Sequence, residues 1–343
     1  EAGRDGNLGD YSTIMGVYAG LNSTGASNVL VGYKAGFAIG STTHTVLIGA
    51  EAAAASLTTD ANGTVAIGNQ ALKVLTSGIG NTAIGYQTLV AEDDGDYNTA
   101  VGYQALTAQT GVSGEVGNTA VGYKAGADVT TAKKSVFVGR SAGENLTSAT
   151  ENIAIGNNAL AGTGTNFHSV IAIGNAAGYG NKGDHSSITG NIAIGYGAQY
   201  SNSQGSGSVA IGYESQNVHT SNLYNTSVGH QSLKGVGHTG GSHSTSHYNT
   251  ALGYRAGYDY GAGGSSEHNV FVGHMAGEYN KNGDGGTFVG SQAGRFSVVG
   301  TNQTFIGSNA GLYSTGSYNV FVGKDTGKGG TTSAPYSSGQ YNT

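Results

Sequence analysis

The stretch Asn98-Thr99-Ala100-Val101-Gly102-Tyr103-Gln104-Ala105-Leu106 decides how this chain is read, because versions of it recur from one end to the other. Its anchor is a Gly preceded by a large aliphatic residue, found at Gly16, Gly32, Gly49, Gly68, Gly85, Gly102, Gly122, Gly139, Gly156, Gly174, Gly195, Gly212, Gly229, Gly253, Gly273, Gly290, Gly307 and Gly323. These 18 copies are 16 to 24 residues apart, most often 17, and the extra length falls in the polar, Gly/Ser-rich half of the unit. A fixed period of this kind is the mark of a repeat architecture.

Within each copy the residue three before the anchor is Thr, Val or Ile, and the residue between it and the aliphatic is usually Ala, sometimes Phe or Leu. Such β-branched alternation reads as a short strand with two faces, and this density of Gly speaks against helix. The anchor Gly suits a close backbone approach, and the small residue three places later (Ala105, Ala125, Ala142, Ala159) suits a crowded corner. Strands every 17 residues with no helix between them cannot form ordinary crossover units. The expected fold is therefore all-β: a single parallel β-solenoid over residues 1–343, about 18 short coils with rungs about 4.8 Å apart.

The positions one and three before the anchor stay aliphatic or β-branched and are expected inside. The middle position, which changes from Ala83 and Ala100 to Phe271, Phe288, Phe305 and Phe321, is expected on an outer face, since Ala-to-Phe exchange would overpack an interior of fixed width. A coil with so few apolar side chains buries little against the entropy of ordering it. Association of identical chains through the Ala/Phe face is the expected remedy, and the repeat leaves two or three copies open.

Composition narrows the function. Gly accounts for 63 residues, Pro for 1, and Cys and Trp for none, which fits neither collagen nor plain disorder. The net charge of −6, with 14 scattered Lys and Arg, leaves no basic stripe for nucleic acid. No apolar run reaches the ~18 residues that membrane insertion requires. Neither end carries a solenoid cap, and Tyr341-Asn342-Thr343 reads like the start of another copy, so the segment is expected to belong to a longer repeat-containing fibre.

Several motifs resemble catalytic or metal sites. Gly139-Arg140-Ser141-Ala142-Gly143 fits a hydrolase elbow, but as a copy of the repeat it lacks the helix that elbow needs. Gly235 to Gly240 fits G-x-G-x-x-G without a helix after it. No catalytic residue and no cofactor is expected. Seven of the ten His fall between His219 and His274, and His243 and His247, in the longest loop, are the weak candidates for a metal site. Asp93, Asp94 and Asp96 form an acidic turn without the tandem pattern of calcium-binding solenoids. The Tyr after many anchors is expected to stack along one edge.

Ser208-Val209-Ala210-Ile211-Gly212, Asn152-Ile153-Ala154-Ile155-Gly156 and Asn191-Ile192-Ala193-Ile194-Gly195 resemble the head repeats of trimeric autotransporter (YadA-like) adhesins. The Tyr-containing form, Asn118-Thr119-Ala120-Val121-Gly122-Tyr123-Lys124-Ala125-Gly126, is similar to repeats of phage tail-fibre proteins. The resemblance implies a left-handed parallel β-roll, a side-by-side homotrimer, an extracellular location on a cell or virion, and attachment to a host-surface glycan or protein; it carries over no catalytic residue. The adhesin stalk, neck and anchor are not seen. Two rival classes follow from the fold: an ice-binding solenoid, given Thr82, Thr99, Thr119, Thr226 and Thr250, and a polysaccharide-binding or polysaccharide-degrading one, for which no carboxylate cluster is evident.

Overall fold

The computed structural model describes residues 9–58, 61–110, 113–162, 167–180, 188–201, 205–217, 221–235, 245–259, 266–281, 283–298, 300–330 and 341–342. It is all-β and contains no α-helix among the described residues, hence none long and apolar enough to cross a membrane. The chain falls into two compact units, Glu1–Ser169 and Val170–Thr343.

In each unit nine three-residue strands, each ending immediately before an anchor glycine, form a parallel ladder in strict register. In the first unit Thr82–Ile84, Thr99–Val101 and Thr119–Val121 pair residue for residue, so Ala83, Ala100 and Ala120 stand in one file. In the second, Val270–Val272, Thr287–Val289 and Thr304–Ile306 do the same with Phe271, Phe288 and Phe305. This is the parallel β-solenoid that the period predicts.

The anchors explain the period. They adopt φ between +124° and +142°, which L side chains rarely enter. In each unit the Cβ that Gly102 or Gly290 lacks would lie under 3.0 Å from the carbonyl of the next anchor, Gly122 or Gly307. The coils can approach this closely only because the earlier anchor of each pair lacks a Cβ. The Ala three places on is fully buried at Ala105, Ala125, Ala142 and Ala159, at the corner where the expectation put it.

The two faces are the reverse of the expectation. The middle residue is the core: Leu30, Leu47, Ala66, Ala83, Ala100, Phe137, Phe271, Phe288 and Phe305 are all fully buried. The flanking residues point outward and stay half-exposed, as Ile84, Val121, Leu252 and Ile306 show. The overpacking argument fails because the interior is not lined by one column. Six residues on, a second column fills the same space, and in many coils its size runs opposite to the first. Ala66, Ala83, Ala100 and Ala154 face Leu72, Leu89, Leu106 and Leu160, all buried. Opposite Phe137, Phe271, Phe288 and Phe305 stand Gly143, Gly277, Gly294 and Gly311, where an added Cβ would come 2.2 to 2.5 Å from the phenyl ring. In these coils the summed volume is held while each column changes; where both residues are small, as at Ala120 with Gly126 and Ala251 with Gly257, the Leu and Phe of the neighbouring coils take up the space.

A buried polar spine runs beside this core. The strand-leading residue of one coil accepts, at its side-chain oxygen, the backbone N–H of its equivalent in the next. Asn98 N–H donates to Asn81 Oδ1 at 2.8 Å, Asn118 to Asn98 at 3.1 Å, and Ser135 to Asn118 at 2.9 Å. In the second unit Asn249 donates to Asn225 and Asn269 to Asn249, each at 2.8 Å. Each of these N–H groups is shut away from water and would otherwise lose its partner, so Asn, Ser or Thr recurs at this point of the repeat.

Candidate functional site

Of the two metal candidates, His243 lies outside the described residues. His247 ends the strand Thr245–His247, and its Nδ1 accepts the Leu223 N–H at 3.1 Å, a tie between adjacent coils. Among the described residues the one group of three or more His, Asp or Glu ligand atoms within 4.8 Å of one another is Glu92, Asp93 and Asp94, and it contains no His. His230 and His274 enter an aromatic stack in the order Tyr196, Tyr213, His230, Tyr254, His274, with centroids 4.9 to 5.4 Å apart. Tyr254 therefore separates the two imidazoles.

The acidic turn is built around a residue the sequence reading passed over. Glu92 is fully buried and accepts the Gly95 N–H at 2.8 Å, the Asp94 N–H at 3.3 Å and Gln109 Nε2 at 2.8 Å. Burial pushes its carboxyl above the usual range, with the Asp93 charge adding to the rise, although these hydrogen bonds pull the other way. Asp96 takes the Ile79 N–H at 2.7 Å and acts as a turn tie. Ser141, the residue in the elbow-like motif, is buried on a turn at φ +55° with no helix behind it. Of the G-x-G-x-x-G stretch only Gly235 is described.

The outer surfaces carry what the repeats present. In the first unit Tyr86, Tyr103 and Tyr123 stack at 5.2 and 5.4 Å, each with an exposed edge. Beside them Gln104, Gln87, Gln70 and Glu51 join through amide and carboxylate hydrogen bonds of 2.9 to 3.0 Å. In the second unit the stack carries His230 and His274 among its Tyr, Gln231 joins Glu214 in the same way at 2.9 Å, and a charged knot forms over later coils. Glu278, buried, holds Arg255 Nη1 at 2.9 Å and Arg295 Nε at 2.5 Å, with the Arg255 guanidinium 3.8 Å over the Tyr258 ring.

The remaining surface is the outward face of the ladder itself. In each unit it is two residues wide. The column just before the anchor is aliphatic or Met in every coil, from Met15, Val31 and Ile48 to Val289, Ile306 and Val322, and the column three before it is Val, Ile or Thr. Sequence reasoning missed this face because it had placed these side chains inside. Comparison with known proteins finds no family model matching the chain and no matching sequence among curated proteins.

Proposed function

We propose that this chain is a non-catalytic segment of an extracellular fibre, of the adhesin-head or tail-fibre-shaft type, that projects an attachment surface from a cell or virion. Copies associate side by side through the outward face of the ladder, not through the Ala/Phe column. The observation that supports this is the aliphatic column of each unit, with Ile84, Val121 and Ile155 in the first and Val228, Leu252 and Ile306 in the second each 37 to 40% exposed. A continuous apolar strip of this kind marks a protein contact. The left-handed wind and the count of three copies come from the resemblance of the repeats.

Sedimentation velocity at micromolar concentration tests it. A trimer is expected, and Ile84→Lys combined with Leu252→Lys should give folded monomers with unchanged β-type circular dichroism. A folded wild-type monomer would overturn the association.

The same correction strengthens one rival. Thr82, Thr99 and Thr119 now stand outward on consecutive rungs, each flanked by Ile84, Val101 or Val121, in the pattern of an ice-binding face. The run breaks at Val65 and Val136, and the aliphatic column beside it favours protein over ordered water. Thermal hysteresis separates the two: activity in the monomeric variant would favour ice.

A further inference from the structure

The residue two after the anchor carries a polar or long side chain in most coils; in the second unit these include Glu214, Gln231, Arg255, Met275 and Gln292. Two adjacent coils depart from this, with Ala176 and Gly197. Where their side chains would lie is a cavity of about 220 Å³ lined by Ala176, Tyr196, Gly197, Tyr200, Glu214 and Asn217. This is below the ~300 Å³ at the small end of pockets for drug-sized ligands, so it admits about one ring.

The walls are aromatic and braced. Tyr196 stacks on Tyr213 and Tyr200 on Tyr179, each pair at 5.2 Å, which fixes both rings while leaving them 52% and 38% exposed. The polar end is also fixed. Asn217 Nδ2 donates to Gly197 O at 2.7 Å. Glu214 takes Lys234 Nζ at 2.6 Å and Gln231 Nε2 at 2.9 Å, both at Oε2, which leaves Oε1 available as an acceptor.

Lys234 bears on ligand class. An aromatic pocket with a bare carboxylate would favour an ammonium group. Here the carboxylate charge is already met, so the site offers ring faces and a hydrogen-bond acceptor without net attraction for a cation. We propose that this pocket binds a single neutral pyranose ring, its C–H face against Tyr196 or Tyr200 and a hydroxyl donating to Glu214. The pocket deepens the attachment reading by naming a glycan as its partner, but its test is independent of oligomeric state.

Ala176→Gln with Gly197→Gln plugs the cavity with a residue the repeat already uses. Ala176 and Gly197 have φ of +53° and +58°, and Gln87 and Gln104 hold the same turn at +51° and +53°. Saturation-transfer NMR and titration calorimetry would be run with methyl glycosides of glucose, galactose, mannose and N-acetylglucosamine, with choline as the charged comparator. Millimolar binding of at least one glycoside is expected, weakened at least tenfold by the plug and by Tyr196→Ala. Polysaccharides containing the preferred residue at internal or terminal positions would distinguish a chain-end ligand from a mid-chain one. Absence of glycoside binding, binding untouched by both variants, or binding of choline alone would overturn the proposal. Sedimentation of the same samples keeps a failure of association separate from a failure of the pocket.

Discussion

The two units solve one packing problem with different residues. The first fills four of its nine coils with Ala on the strand and a Leu six places on, as in Ala83 with Leu89 and Ala100 with Leu106. The second reverses the sizes over its later coils, where Phe271, Phe288 and Phe305 pack ring against ring with centroids 5.2 to 5.5 Å apart and glycine stands opposite. Its earlier coils use a third option, with Ala210 beside buried Gln216, whose amide is held by Val209 O at 2.9 Å and Ser227 Oγ at 2.8 Å. The backbone register is the same in all three. Pairing through the anchors sets the coil, and the interior asks only that each coil and its neighbours together fill it.

If the anchors are what the units share, substituting them should hurt both alike and more than any other single change. Gly102→Ala and Gly290→Ala each drive a Cβ against a neighbouring carbonyl at a φ that alanine resists. A loss above ~4 kcal/mol, or a unit that fails to fold, is expected in each case from thermal and denaturant unfolding. An anchor tolerated in one unit only would break the comparison.

Size exchange is the next largest effect. Phe288→Ala should cost ~3–5 kcal/mol by leaving a cavity. Gly294→Leu alone should be comparably harmful, because the new Cβ would meet the Phe288 ring. Together they recreate the pairing of the first unit, and Leu fits the turn, since Leu106 sits there at φ +49°. The double variant should recover about half of the Phe288→Ala loss; the rest belongs to the ring contacts with Phe271 and Phe305. Ala100→Phe with Leu106→Gly is the reciprocal cycle. Costs that simply add would mean the two columns do not share one space.

That compensation also shows where sequence reasoning succeeded and where it failed. The period, the parallel register and the file of anchors were readable because glycine at a fixed interval has one structural explanation when no helix intervenes. The faces came out reversed because the Ala/Phe column was judged alone. The correlated switch from Leu106 to Gly294 six residues on was present in the chain and would have put both columns inside. The Asn spine had a visible signal too, in the Asn, Ser or Thr that leads almost every strand. The Tyr196/Tyr200 pocket had almost none: it depends on three columns of neighbouring coils meeting where two small residues coincide.

Beyond the core, the units differ in how they bury charge. Glu278 in the second is held by two guanidiniums, whereas Glu92 in the first is held by backbone N–H groups and an amide. Removing the charge of Glu278 leaves two partly covered cations without a counterion. Glu278→Gln should cost ~2–4 kcal/mol, somewhat below the ~3–5 for fully buried pairs, because Arg255 and Arg295 keep some access to water. A neutral outcome in chemical denaturation would place the arginine charges in solvent rather than in the knot.

The smallest effect separates the units by its sign. Glu92 is raised above its ordinary 4.5, foremost by burial, so its contribution is fully present below that value and is lost as pH rises through the higher folded value. Asp94 and Asp128 are raised from 3.8, also foremost by burial, and act in the same direction. Glu214 in the second unit is lowered from 4.5: burial pulls it up, but the Lys234 and Gln231 hydrogen bonds and the Lys234 charge outweigh this. Its contribution is present above 4.5 and disappears as pH falls through the lower folded value. Acidifying from neutrality toward 4.5 should therefore tighten the first unit around Thr99–Val101, whereas acid below 4.5 should loosen the second around Val209–Ile211. Glu51 in the first unit is lowered by its Lys73 and Gln70 hydrogen bonds and opposes the gain only below 4.5, so the window above that value reads Glu92 and the raised aspartates. Amide hydrogen exchange at pH 7, 5 and 4, corrected for intrinsic rates, resolves the two ladders, and Glu92→Gln should remove most of the gain in the first. Protection that falls in both units from neutrality downward would mean that the buried carboxylate of Glu92 is better solvated than its place in the turn implies.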